Sequence, residues 1–150
     1  MQINFQKNKL GKMHTPTKQQ FQTVIDVLKS VLPQAKDESN FNMMQGFTFY
    51  SDGDVCGTVH CIGGWYAIAK QLQLEAPGMQ INYQNGAMAM ADDLGFVSID
   101  ELENWAIKNT YIWGNGYGDS IFTDKRAYGD ADTLQDAINH LEKVKDRLPL

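Results

Sequence analysis

The sequence predicts a mainly α protein: about five helices packed around one buried helix at 58–72, with a small β-hairpin near 46–56. Three observations carry this expectation. Apolar residues recur at helical spacing in several separate segments. From Val59 to Leu72 nearly every residue is apolar or small, which marks a helix enclosed on all sides. Capping signals and Gly or Pro breaks separate the segments cleanly.

The chain has 150 residues, 43% apolar and 21% charged, enough for one domain with its own core. Residues 1–14 are polar, carry lysines and hold no apolar run. They predict a mobile arm rather than a secretory signal, with a single globular domain over 15–150. Thr15 and Pro16 suit an N-cap and first helical position, and Phe21, Val24, Ile25, Leu28, Val31 and Leu32 then line one face until Pro33. Phe47-Thr48-Phe49 alternates and Asp52-Gly53 is a turn dipeptide, so a hairpin is expected to lead into Cys56. Asp52 and Asp54 lack the following Glu that a calcium loop requires.

The central helix is expected to start at Gly57-Thr58, with Thr58 as its cap. Gly63 and Gly64 each cost about 1 kcal/mol relative to alanine in a helix. Close approach of another backbone or of a ligand would offset that cost. After the break at Glu75-Ala76-Pro77-Gly78, a helix over 84–94 ends at Gly95. Ser98 and Glu101 form a capping box for the next, which turns Leu102, Trp105 and Ala106 inward. The pair has the outline of a helix-turn-helix, but Asp100, Glu101 and Glu103 on the second helix would repel phosphate. Residues 109–132 show no helical period and predict a long loop with a strand near Tyr111–Trp113. A last helix over 133–147, capped by Asp132 or Thr133, buries Leu134, Ala137, Ile138, Leu141 and Val144, with His140 beside them.

The densest stretch of unusual residues is Cys56-Gly57-Thr58-Val59-His60-Cys61-Ile62-Gly63-Gly64-Trp65. It resembles a pattern in bacterial and phage proteins: Cys-Gly-Thr, two residues, then Cys-Ile-small-Gly-Trp. Those proteins carry an aromatic-Asx-Met triplet upstream and a Leu-Gly-apolar helix end downstream, matched here by Phe41-Asn42-Met43 and Leu94-Gly95-Phe96. Gly63 stands where the pattern has alanine. The resemblance spans 41–107; it implies a bacterial or phage origin and no activity.

Three kinds of chemistry are open to these residues. Cys56 ahead of a helix start could be a thiol nucleophile, with His60 or His140 as its base. Buried, inert thiols are the simpler reading of Cys56 and Cys61. Cys56, His60 and Cys61 are also acceptable metal ligands, but His60 and Cys61 would point about 100° apart on a helix. No metal and no cofactor is therefore expected. The third option is a partner or small-ligand pocket between the Gly63-Gly64 face and the aromatic, glycine-rich stretch 109–124, with Trp65, Tyr111, Trp113, Tyr117 and Asp119 as its residues. The alternative for those aromatics is to plug the core.

The net charge of −5 is unevenly spread: residues 1–36 hold six lysines against Asp26 alone. The acidic remainder argues against general nucleic-acid binding and suits a basic partner. With no long apolar run, no membrane span is expected. Seven methionines and two cysteines without a signal segment fit a reducing cytoplasm. The leading expectation is a small acidic binding protein for a protein partner or small molecule, of open oligomeric state. The alternative is a cysteine-dependent hydrolase or transferase using Cys56.

Overall fold

The computed structural model describes residues 14–35, 61–70, 83–114, 121–122 and 125–149. Among them the protein is mainly α, as predicted. In chain order come α1 (Lys18–Lys29), α2 (Ile62–Ala69), α3 (Tyr83–Asp93), α4 (Ile99–Lys108), α5 (Thr110–Trp113) and α6 (Leu134–Arg147), with a 3-10 turn at Lys125–Tyr128 ahead of α6. The hairpin expected at 46–56 lies outside the described residues. No helix among the described residues is long and apolar enough to cross a membrane.

α1 starts after Thr17 rather than Thr15. The Thr17 hydroxyl accepts the Gln20 N–H at 3.0 Å, and the Gln20 side chain accepts the Thr17 N–H at 2.9 Å. This reciprocal box satisfies two orphan donors at once, which a start at Thr15 would not. Phe21, Val24, Ile25 and Leu28 are buried. The helix packs chiefly on α6, where Leu134, Ala137, Ile138, Leu141 and Val144 are buried. Glu142 closes the rim of this seam, 3.3 Å from Lys29 and 3.2 Å from Lys145. Slight burial pushes its carboxyl upward, but hydrogen bonds and charge from Lys145 and Lys29 outweigh that and hold its pKa below the ordinary value.

α2 is buried from Ile62 to Ala67, as its composition predicts. It begins later than expected, however. Cys61 is extended (φ −75°, ψ 179°) and is the N-cap; Thr58, expected in that role, lies outside the described residues. The late start puts Gly63 and Gly64 in the first turn, where glycine interrupts no interior helix hydrogen bonding. The close approach expected at these glycines is supplied by α3. A Cβ on Gly86 would overlap the Gly63 carbonyl oxygen and lie 2.8 Å from the Ala67 nitrogen. Only glycine at position 86 lets the two backbones touch. Tyr66 pins the same pair, its hydroxyl donating to Asp93, which also receives Lys70 Nζ at 3.0 Å. Burial, then the hydrogen bond and negative charge of Asp93, drive the Tyr66 phenol pKa upward and keep it protonated.

α3 ends at Gly95 as predicted: the Gly95 N–H reaches Asp92 O at 2.9 Å and the Phe96 N–H reaches Ala91 O at 2.9 Å. His14 seals this turn. Its Nε2 lies 2.8 Å from Leu94 O, and its ring meets Phe96 edge-on at 4.8 Å. His14 therefore belongs to the packed body, although the sequence placed it in the mobile arm. Ser98 caps α4, accepting the Glu101 N–H at 3.2 Å.

The helices contact their neighbours in a circuit, each on the next, and α6 returns to α1. The closest pair is α2 with α3. The bulkiest core side chains, Trp105 and Trp113, come from α4 and α5. Phe21, Phe96 and Trp113 surround Trp105 with ring centres 6.1, 5.9 and 6.3 Å away.

Candidate functional site

The α4–α5 corner is where the described aromatic residues divide between core and solvent. Asn109 ends α4 in a non-helical conformation (φ −120°, ψ 51°), with its side chain on Trp105 O at 2.8 Å. Its own carbonyl then accepts the N–H groups of Ile112 and Trp113, both at 2.9 Å, which starts α5. Gly114 (φ +98°) ends it in a backbone region that other residues enter at a cost. The Arg147 guanidinium, from the last turn of α6, donates to Ile112 O at 3.2 Å and Trp113 O at 3.3 Å. These orphan carbonyls gain a charged donor and the short helix gains a tether.

The strand expected near Tyr111–Trp113 is thus a helical turn. In a strand, residues 111 and 113 would share one face. In the turn they part. Ile112 and Trp113 are buried, and the Trp113 indole donates to Ala127 O at 2.6 Å. Its ring meets Tyr128 and His140 edge-on, both at 5.5 Å. Trp113 is therefore a core plug, not a surface contact. Trp65 is likewise buried. Tyr111 is 76% exposed, and Ile107, four residues earlier, is 41% exposed. Asp100 is exposed about two turns before Ile107 and so on the same side of α4, and Val97, at the foot of α4, is 73% exposed. α4, α5 and the residue ahead of the α4 cap thus expose three large apolar side chains, and the first turn of α4 carries Asp100 and Glu101. Tyr117 and Asp119, expected in the same surface, lie outside the described residues.

His140 is buried between Trp113 and Tyr128, and its Nε2 has no hydrogen-bond partner among the described residues. Burial chiefly, then the Arg147 charge, lower its pKa from 6.5 to about 4; a backbone hydrogen bond with Trp113 opposes this and Lys143 adds to it. A histidine so weakly basic is poorly matched to general-base work near neutrality. Its proposed catalytic companions, Cys56 and His60, lie outside the described residues. The late start of α2 moves the positive end of its dipole to Cys61, which is fully buried and not in a disulfide. Buried thiols in apolar surroundings are unreactive. Among the described residues no group of three or more His, Cys, Asp and Glu side chains is placed to hold a metal. The pocket imagined against Gly63 and Gly64 is filled on the Gly63 side by the backbone of Gly86.

Two contributors escaped the sequence reading. Tyr66 left a signal: a hydroxyl on an otherwise apolar helix needs a buried partner. Arg147 left a weaker one, since cations in the last turn of a helix usually serve that helix's own carbonyls.

No family model, curated protein or solved structure matches this chain. What the fold and site define is a class of object: a small helical domain with a tethered, partly apolar corner.

Proposed function

We propose that the protein is a non-catalytic binding protein that takes a protein partner on the outward face of the α4–α5 corner. One observation carries this reading: Tyr111 is 76% exposed while the two residues after it are locked into the core. A large ring held out by an anchored backbone offers contact area at little entropic cost, and tyrosine is over-represented among residues that dominate binding energy. The occupant is a protein rather than a small molecule. Ligand pockets enclose most of their ligand, and a side chain this exposed lines no such enclosure. Ile107 and Val97 ask for apolar groups on the partner, and Asp100 and Glu101 for a cation.

The test is site-directed photo-cross-linking. A benzophenone amino acid is placed at position 111 or, as a control, at exposed Gln135 on α6. The expected result is one discrete protein adduct from position 111, none from 135, and loss of the adduct in Ile107→Asp. Equal labelling from both positions, or none from either, overturns the reading. So would fast alkylation of Cys56 in the folded protein together with turnover lost in Cys56→Ser.

A further inference from the structure

We propose that His140 is a proton-operated latch on α5: proton uptake there frees Trp113 from the core, withdraws the backbone that holds Tyr111 outward, and so sheds the partner in acid. The latch stands on the packing around His140. Only the loss of the partner rests on the α4–α5 corner being the binding surface.

His140 sits where α5, the 3-10 turn and α6 meet. Its ring lies edge-on to Trp113 at 5.5 Å and to Tyr128 at 5.7 Å, and those two rings meet each other at 5.5 Å. Its Nε2 is buried without a hydrogen-bond partner among the described residues, so its hydrogen bond with the Trp113 backbone belongs to Nδ1. That bond favours the protonated ring, which makes the imidazole the donor and the Trp113 carbonyl the acceptor. Arg147 donates to the same carbonyl oxygen at 3.3 Å. A second proton on His140 can go only to Nε2, where it meets no acceptor, and it brings a second cation to one carbonyl. Burial first, and then the Arg147 charge, accordingly hold the pKa at about 4, and Lys143 adds to the repulsion. Of the elements packed on α6, the 3-10 turn sets the Tyr128 phenol beside the ring, α5 has no charged side chain, and α1 brings Lys29 to Glu142. None of the described groups acting on His140 is a carboxylate.

An imidazolium needs water at Nε2, and one of its two flanking rings must move to admit it. Moving Tyr128 would leave both cations on the Trp113 carbonyl, whereas moving Trp113 separates them. α5 is also the weaker partner in this contact. α6 has 14 residues and packs along α1, while α5 has 4, and its far end is held by the α6 donors and by the Trp113 indole on Ala127 O. Elements with so few bonds of their own open locally, ahead of the whole fold. The sign follows from the two protonation states. His140 has a pKa of 6.5 in the open corner and about 4 in the closed one, so the open form binds more protons. The closed corner is fully favoured above about pH 6.5 and gives way as pH falls towards about 4; between pH 7 and pH 5 the opening constant rises about twentyfold. The partner's apparent affinity falls with the closed fraction.

The test is native-state amide exchange of the full chain at pH 7 and pH 5, each with and without urea below the unfolding range. The N–H groups of Ile112, Trp113 and Gly114 are bonded in the closed corner. They are expected to lose about twentyfold in protection at pH 5, independently of urea, since a local opening exposes little surface. In His140→Gln, which keeps a donor for the Trp113 carbonyl and cannot titrate, the loss should be absent. Exchange at 112–114 that follows urea as steeply as exchange in α1 overturns the latch, because only global unfolding then frees these groups. That comparison needs the unaltered protein alone and so decides even where the variant does not fold. Loss of protection at Gly129, which bonds Arg126 O, without loss at 112–114 moves the release to the 3-10 turn and overturns the assignment to α5. With benzophenone at position 111, the adduct yield is expected to fall severalfold from pH 7 to pH 5 and to hold in the His140→Gln background. A fall in both backgrounds, or in neither, overturns the coupling. Acid-driven opening with no adduct at either pH leaves the latch standing and removes the partner reading. An adduct without acid-driven opening does the reverse.

Discussion

Tyr111, Ile112 and Trp113 are consecutive, yet the first meets solvent and the other two fill the core. Truncating them should therefore give opposite results. Tyr111→Ala is expected to change stability by no more than about 0.5 kcal/mol, as surface changes do, while Trp113→Ala should cost about 3–5 kcal/mol. Urea unfolding of both variants checks this, and comparable losses would put Tyr111 in the core. His140 makes a second residue-scale prediction. Its pKa falls from 6.5 unfolded to about 4 folded, so the unfolded chain binds a proton that the native protein refuses. The stabilisation is complete above about pH 6.5 and is lost as pH falls towards about 4, on the order of 3 kcal/mol in all. Urea midpoints across that window should slope downward with acid, and His140→Gln should flatten the slope. An unchanged slope would assign the acid sensitivity to other groups. The sequence placed His140 beside the core, but only its three-dimensional neighbours decide its basicity.

Among helices, the ends that carry their own caps were legible: Gly95 stops α3, Ser98 starts α4 and Thr133, one of the two caps the sequence offers, starts α6. Those are local chemistry, written within four residues. The start of α2 was misread because Thr58 is a good cap by type, while the conformation at Cys61 shows the helix beginning later. α5 was unreadable because a four-residue helix has no period to detect, and a donor thirty-four residues away, Arg147, holds its end. Arg147→Ala should cost about 1–2 kcal/mol through those two carbonyls. It should also raise amide exchange at residues 112–114 more than elsewhere; uniform change would deny the tether. The α2–α3 contact yields the sharpest element-scale expectation. Gly86→Ala adds one methyl group into the Gly63 backbone, so it should cost about 3 kcal/mol or prevent folding, as overpacking does. A mild effect in urea unfolding would mean the helices can slide apart.

For the molecule as a whole, the circuit of helices closes where α6 meets α1. Both helices bury their apolar faces largely in that seam, so neither side persists alone. Ending the chain after Asp132 is expected to unfold α1 along with the lost helix. Near-ultraviolet circular dichroism reads this through Trp105 and Trp113, and a retained aromatic signal would show an independent subunit of the fold. The amino-acid sequence by itself determined the mainly α class, the burial of Ile62–Ala67, most inward faces and the uneven charge, because each depends on residue type and short spacing. Tertiary structure alone decided which aromatic is a plug and which a contact, that Gly63 faces Gly86 rather than a ligand, and that His14 is fastened to Leu94. Each of those depends on a partner far along the chain, and no local pattern encodes the position of a distant backbone.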